Sequence, residues 1–315
     1  MEKRQLGQSD LHIAPIVFGG NVFGWTIDEK TSFELLDAFT GAGFNAIDTA
    51  DVYSRWADGN SGGESEKVIG NWLKSRKNRD SVVIATKVGS DMGEGKSLKK
   101  DYILKAAEAS LKRLNTDYID LYQTHFDDLD TPVEETLSAY DQLVKEGKVR
   151  WIGASNMTPE RLLQSLDASQ VNDFPIYQTL QPHYNLYARE QYESQYEPLC
   201  LGHGLGVITY FSLESGFLTG KYRTKADLEK SPRGGDMDKY FDTRGLKILS
   251  ALDEVASIHN TTPAAVALAW LIKRQSVTAP IASATSLDQL KSIIAAPKLE
   301  LVADEIGQLN AASFW

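Results

Sequence analysis

The sequence predicts an α/β fold: a (β/α)8, or TIM, barrel with an N-terminal β-hairpin and long loops at its C-terminal face. Three observations lead there. Short apolar runs bounded by Gly, Asn or Asp recur along the whole chain, longer segments with apolar residues at three- and four-residue spacing separate them, and the runs number eight. Eight parallel strands can close into one sheet with no exposed edge. A doubly wound open sheet also alternates strand and helix, but it carries a glycine-rich phosphate loop after its first strand, and FGGNVFGW at that place lacks GxGxxG. A length of 315 residues suits one large barrel, so residues 1–315 read as a single domain.

Taken in order, Arg4 to Ile13 holds a turn at Gly7 to Asp10 between two short β-like pieces, a hairpin suited to plugging the barrel bottom. The strand candidates are Ala14 to Phe18, Phe44 to Ile47, Val82 to Ala85, Ile119 to Tyr122, Val149 to Ile152, Ile176 to Leu180, Val207 to Tyr210 and Val277 to Ile281. Helical periodicity fills Thr31 to Thr40, Glu64 to Ser75, Lys100 to Arg113, Pro132 to Lys145, Thr158 to Ala168, Arg189 to Gly202 and Gly245 to His259. Thr158 before Pro159 and Glu160 reads as an N-cap with proline at the first helical position, and Thr262 with Pro263 repeats that signal. Between the seventh run and the next helix, Lys221 to Thr243 is long, polar and rich in Gly, Asp and Lys, the kind of loop that is usually functional.

Composition narrows the function. Apolar residues at 42% and charged residues at 24% are ordinary globular values, which excludes a disordered chain. Lys plus Arg total 33 against 43 for Asp plus Glu, a formal charge of −10, so nucleic acid and anionic membranes are poor partners. Cys200 is the only cysteine, which removes intrachain disulfides and multi-cysteine metal sites. The start of the chain is charged without an apolar stretch of signal-peptide length, and a cytoplasmic protein is the expectation.

In such barrels function gathers at the C-terminal ends of the strands. The second run ends in Asp48 with Tyr53 just beyond, the third in Lys87, the fourth in His125 with Phe126 following. The fifth delivers Ser155 and Asn156, the sixth Gln181, and the seventh Tyr210 with ESGFLTGKY close behind. Singly, each has an ordinary explanation: a helix cap, a packed ring, a solvated lysine. Together, Asp, Tyr, Lys and His at one mouth, with no two-histidine metal motif, point to proton transfer by side chains. A tyrosine hydroxyl with a pKa of about 10 needs a nearby ammonium to ionise readily. Lys87 can supply it, Asp48 can balance Lys87, and His125 can donate a hydrogen bond to a substrate oxygen. The remaining histidines, His12, His183, His203 and His259, read as structural, and Cys200 as helix packing.

The stretches GFNAIDTADVYS, GESEKVIGNWL, VVIATKVG, LYQTHFDD, WIGASN, YNLYARE, YFSLESGFLTGKY and DQLKSI together resemble the aldo-keto reductases, in their bacterial and potassium-channel-β-subunit-like branch. The resemblance implies a barrel that binds NADP(H) in extended form and reduces aldehydes and ketones. It makes Tyr53 the general acid, Asp48 and Lys87 its tuning pair, and His125 the orienting residue. It implies a carboxamide clamp for nicotinamide from Ser155, Asn156 and Gln181, and an aromatic platform from Tyr210. It further implies a pyrophosphate loop that includes Phe211, Leu213, Ser215, Gly216, Leu218, Gly220 and Lys221. Departures accompany it. Phe211 adds bulk in the usual YSPL motif, Ser283 replaces glycine in the turn after the last strand, and QLKSI replaces QLxEN from Gln289 onward. Ser283, Thr285 and Gln289 are neutral, so positive charge toward a 2′-phosphate has to come from Lys221 or Arg233, and NAD(H) use beside NADP(H) is expected.

The alternative function is a redox-sensing subunit that holds nicotinamide and acts through a protein partner, as the similar channel subunits are thought to do. Phe23, Trp25, Trp56 and Phe126 lie on loops at the mouth, where with Tyr53 and His125 they suit an apolar or aromatic carbonyl substrate.

Overall fold

The computed structural model describes residues 2–93, 95–230 and 237–315. Arg233 lies outside the described residues.

The hairpin pairs β1 (Arg4–Gln5) with β2 (His12–Ile13), Arg4 opposite Ile13. Eight parallel strands follow: β3 (Val17–Gly19), β4 (Ala46–Asp48), β5 (Val83–Val88), β6 (Ile119–Thr124), β7 (Val149–Ser155), β8 (Tyr177–Gln181), β9 (Gly206–Thr209) and β10 (Ala279–Ala282). They close in chain order, with β10 pairing both β9 and β3. Around them lie α1 (Glu29–Gly41), α2 (Glu64–Arg76), α3 (Lys100–Leu114), α4 (Val133–Lys145), α5 (Pro159–Asn172), α6 (Glu197–His203), α7 (Thr243–Ile258), α8 (Pro263–Lys273), α9 (Leu287–Ala295) and α10 (Ala303–Ala312).

Local chemistry sets the helix ends. Thr158 accepts from the Arg161 N–H and Thr262 from the Ala265 N–H, each followed by proline. Two differences from the sequence reading stand out. The helix anticipated from Arg189 contains a π-helical turn at Tyr192–Tyr196 before α6, and the long segment after Lys221 holds short 3-10 helices at Lys225–Lys230 and Asp238–Tyr240. No single helix among the described residues is long and apolar enough to cross a membrane.

Strand periodicity divides the barrel interior into layers. Val17, Ala46, Ala85, Leu121, Ile208 and Ala279 form an inner apolar cluster with Leu6, Leu11 and Ile13 of the hairpin, which therefore closes the bottom. Two residues further along their strands, on the same face, stand Asp48, Lys87 and Gln123, so the layer above is polar. Register aligns it: Asp48 pairs with Ala85, Lys87 with Gln123, Gln123 with Gly153, and Ser155 with Gln181. The larger apolar core lies between the sheet and the helices.

Gly153 is the small residue in that polar layer. A Cβ there would stand 2.1 Å from the Thr179 hydroxyl and 3.1 Å from Cγ of Gln123. Gly153→Ala is expected to destabilise the fold by about 1–3 kcal/mol through overpacking, measured by urea unfolding; unchanged stability would mean that Thr179 swings aside freely.

Candidate active site

The ends of β4, β5, β6 and β8 meet at one ion pair. Lys87 is fully buried, and its Nζ donates to Asp48 Oδ2 at 2.6 Å, to the Thr49 carbonyl at 2.8 Å and to the Tyr53 hydroxyl at 3.0 Å. Burial alone would lower the lysine's pKa, but the facing charges of Asp48 and Tyr53 outweigh it and the net direction is up. The other Asp48 oxygen accepts from Gln181 Nε2 at 2.9 Å and Gln123 Nε2 at 3.3 Å. Asp48 is thus fixed from both sides.

His125 lies beside Tyr53, ring centroids 5.9 Å apart. Burial first, then the Lys87 and Lys96 charges, push its pKa well below the usual imidazole value, so the ring is neutral at pH 7. Its Nδ1 is buried without a hydrogen-bond partner among the described residues. Phe126 stacks on His125 at 4.8 Å, Trp56 meets Tyr53 at 5.8 Å, and Trp25 meets Trp56 at 5.5 Å. All five side chains assigned to the substrate side form one continuous aromatic wall. Phe23 does not join it: it is fully buried and stacks on Phe18 in the core.

On the opposite flank the amide residues bond to one another. Ser155 Oγ donates to the Gln181 carbonyl at 2.8 Å, Asn156 Nδ2 to the His125 carbonyl at 2.8 Å, and the Tyr210 hydroxyl to Asn156 Oδ1 at 3.1 Å. Tyr210 rests on His183, centroids 5.4 Å apart and planes 18° from parallel. His183 in turn contacts the buried Glu214 at 2.8 Å, and Asn185 and the Tyr240 hydroxyl also donate to that carboxylate.

Glu214 opens the loop assigned to pyrophosphate, where Phe211, Glu214, Ser215, Gly216 and Gly220 all have positive φ. Leu213 is half-buried, whereas Leu218 is fully buried and packs into the core, leaving only its backbone to reach a ligand. Lys221 Nζ stands 3.1 Å from the point a Cβ on Gly216 would occupy. At the end of β10 the polar groups serve their neighbours: Ser283 Oγ donates to Asn21 Oδ1 at 2.6 Å, and Gln289 Oε1 accepts from the Thr285 N–H and hydroxyl at 2.8 and 3.1 Å. A cavity of about 440 Å³ opens beyond the His183 stack, against Tyr187, Tyr240, Arg244 and Trp315, and does not include Tyr53, Lys87 or His125.

Sequence reasoning overlooked Gln123, which shares the inward parity of Leu121 and His125 and was recoverable from it. His183, read from the sequence as structural, lies under Tyr210 and contacts Glu214.

The class follows from comparison with known proteins: an oxidoreductase acting on carbonyl compounds with a nicotinamide cofactor. The chain belongs to the aldo/keto reductase family, whose model matches residues 15–313. It is 34% identical to aldo-keto reductase AFTS1 of Alternaria alternata over 98% of this chain and 91% of that protein. It is 32% identical to the uncharacterized oxidoreductase YrpG of Bacillus subtilis (strain 168), over 98% and 95% of the two chains. It is also 31% identical to a probable voltage-gated potassium channel subunit beta of Arabidopsis thaliana, over 98% and 96%.

Burial raises the Glu214 pKa, but hydrogen bonds from His183, Tyr240 and Asn185 hold the carboxyl below its ordinary value. A depressed folded value stabilises above the unfolded pKa and is lost as pH falls through the folded one. Glu214→Gln should therefore cost about 1.5–3 kcal/mol at pH 7, with the deficit shrinking below about pH 4. Chemical denaturation at both pH values checks this, and an equal deficit at each would remove the charge from the explanation.

Proposed function

We propose that the chain, acting as one domain over residues 1–315, is an NADP(H)-preferring carbonyl reductase that reduces aldehydes and ketones, or runs the reverse reaction, by direct hydride transfer with Tyr53 as general acid. The observation that carries this reading is the buried Lys87 ammonium 3.0 Å from the Tyr53 hydroxyl and 2.6 Å from Asp48. Its charge favours the phenolate, so the Tyr53 proton passes more readily to a carbonyl oxygen. Asp48 keeps that charge from being buried unpaired. His125, neutral, donates one hydrogen bond to the same oxygen without adding charge, which holds the carbonyl carbon in place. The aromatic wall of Trp25, Trp56, Tyr53 and Phe126 favours an apolar or aromatic, bulky carbonyl compound.

The residues fit a nicotinamide coenzyme. Tyr210 is a platform backed by His183, Ser155, Asn156 and Gln181 present amide and hydroxyl groups beside it, and Gly216 leaves open a space next to Lys221 that a side chain would fill. When bound, the reduced nicotinamide supplies the hydride. Lys221 and the left-handed loop suit a diphosphate. Ser283, Thr285 and Gln289 are neutral and engaged locally, so the NADP(H) preference is modest and NAD(H) is also used. The resemblance to channel β-subunits favours a second reading, a nicotinamide-holding sensor that works through a protein partner. Many cycles per chain with a generic aldehyde decide for the enzyme; one oxidation followed by slow release decides for the sensor.

Tyr53→Phe should leave coenzyme affinity, read by fluorescence titration, nearly intact and lower turnover by about 10² to 10⁴. Near wild-type turnover would remove Tyr53 from the role. Arg233→Ala should weaken NADP(H) binding far more than NAD(H) binding, because only the former carries the additional phosphate. Dissociation constants for both coenzymes test this, and equal losses would place Arg233 away from that phosphate.

A further inference from the structure

The segment that supplies Asp48 and Tyr53 carries a second acid that the proposed chemistry leaves unused. Asp51 is 3% exposed. Its N–H donates to the Lys87 carbonyl at 3.2 Å, so it is tied to the same strand end as the buried ammonium. Its carboxyl interacts electrostatically with Glu66 of α2, Arg113 of α3, Tyr122 of β6, Tyr140 of α4 and Lys87 of β5.

These groups can be counted. Lys87 is matched by Asp48 at 2.6 Å, and Arg113 by Glu66 at 2.6 Å, with the Thr86 hydroxyl donating to the second Glu66 oxygen at 2.6 Å. Two cations face two carboxylates, and Asp51 is a third acid without a cation of its own. Its Oδ1 is buried with no hydrogen-bond partner among the described residues. A carboxylate so placed is costly and its neutral form is favoured. Burial and then the Glu66 charge push the Asp51 carboxyl up to about 7. The Tyr122 hydroxyl, also buried and without a hydrogen-bond partner among the described residues, is raised well above its ordinary value by burial and by Asp51, so it stays neutral beside it.

We propose that Asp51 is a positioning residue that gates the charge behind Lys87: as a neutral acid it leaves the ammonium opposed by Asp48 alone, and as a carboxylate it adds a second negative charge that keeps the Tyr53 hydroxyl protonated to higher pH. This rests on the reading of Tyr53 as proton donor. Ionised Asp51 thereby favours the form of Tyr53 that reduction needs and opposes the phenolate that alcohol oxidation needs.

The test uses the full chain as wild type, Asp51→Asn and Tyr53→Phe, with ultraviolet difference absorbance following tyrosine ionisation against pH. The Tyr53 step is the one missing in Tyr53→Phe, and Asp51→Asn should move it down by about one pH unit. Asp51→Ser, smaller and also neutral, should move it in the same direction. Thermal unfolding gives an independent reading. Because the folded Asp51 value lies above the unfolded one, wild-type stability falls as pH rises from about 4 to 7. Both Asp51 variants lack that loss, so their midpoints should gain on wild type across the window. A gap that stays flat with pH overturns the inference, since Asp51 would then be ionised throughout. A Tyr53 step present in wild type but unmoved in both variants overturns this inference alone. A wild type with no Tyr53-dependent step overturns the Tyr53 reading, and this inference with it.

Discussion

A lysine ammonium with no access to solvent is the constraint around which this barrel is arranged. Nζ of Lys87 can remain charged there only if its three hydrogens meet acceptors and its charge meets an anion, and Asp48, the Thr49 carbonyl and the Tyr53 hydroxyl supply that set. All four attachments of this strand end, counting the Asp51 N–H on the Lys87 carbonyl, come from Asp48 and the continuous turn that follows it. Asp48 needs partners too, and Gln123 and Gln181 reach it from β6 and β8. Four strands are committed to one ion pair, and only a closed sheet brings their ends that near.

The same economy explains the glycine and the hairpin. Polar side chains inside the barrel lie against one another, and Gly153 provides the room in which Gln123 and Thr179 sit. Below, the hairpin residues Leu6, Leu11 and Ile13 complete an apolar layer that leaves the bottom dry. The polar layer thus sits above an apolar floor, where a charge beside a hydroxyl is screened less than at the surface.

Much of this was legible in the residues. Eight runs with helices between them determine a closed parallel barrel, and the polar residue ending each run names its mouth: Asp48, Lys87, His125 and Gln181 were all found by that rule. The π-helical turn at Tyr192–Tyr196 was not, because one inserted residue per turn scarcely disturbs apolar spacing. The helix α9 was passed over because it is only nine residues long, and α10 because its buried face amounts to Glu305 and Leu309. Glu214 and Asp51 were missed for another reason. Each looks like an exposed loop acid in sequence, and only tertiary contacts, with His183 in one case and with Glu66 and Arg113 in the other, make it a buried one.

The contrast between the two flanks of the site follows from what builds them. Ser155, Asn156, Gln181 and Tyr210 stand on or directly after strands, and their hydrogen bonds run from β7 to β8 to the end of β9, so the geometry of that flank is inherited from the barrel itself. The other flank, from Phe211 to Lys221 and from Ser283 to Gln289, combines short-range contacts such as Thr285 to Gln289 with tertiary ones: Ser283 donates to Asn21, and Glu214, within a run of left-handed backbone, is held by His183, Asn185 and Tyr240. A site made this way varies easily at its loop end without disturbing the ion pair, because none of the hydrogen bonds to Lys87 or Asp48 comes from residues 211–221 or 283–289. The ion pair is therefore anchored in the sheet, and the segments 211–221 and 283–289 stand apart from it.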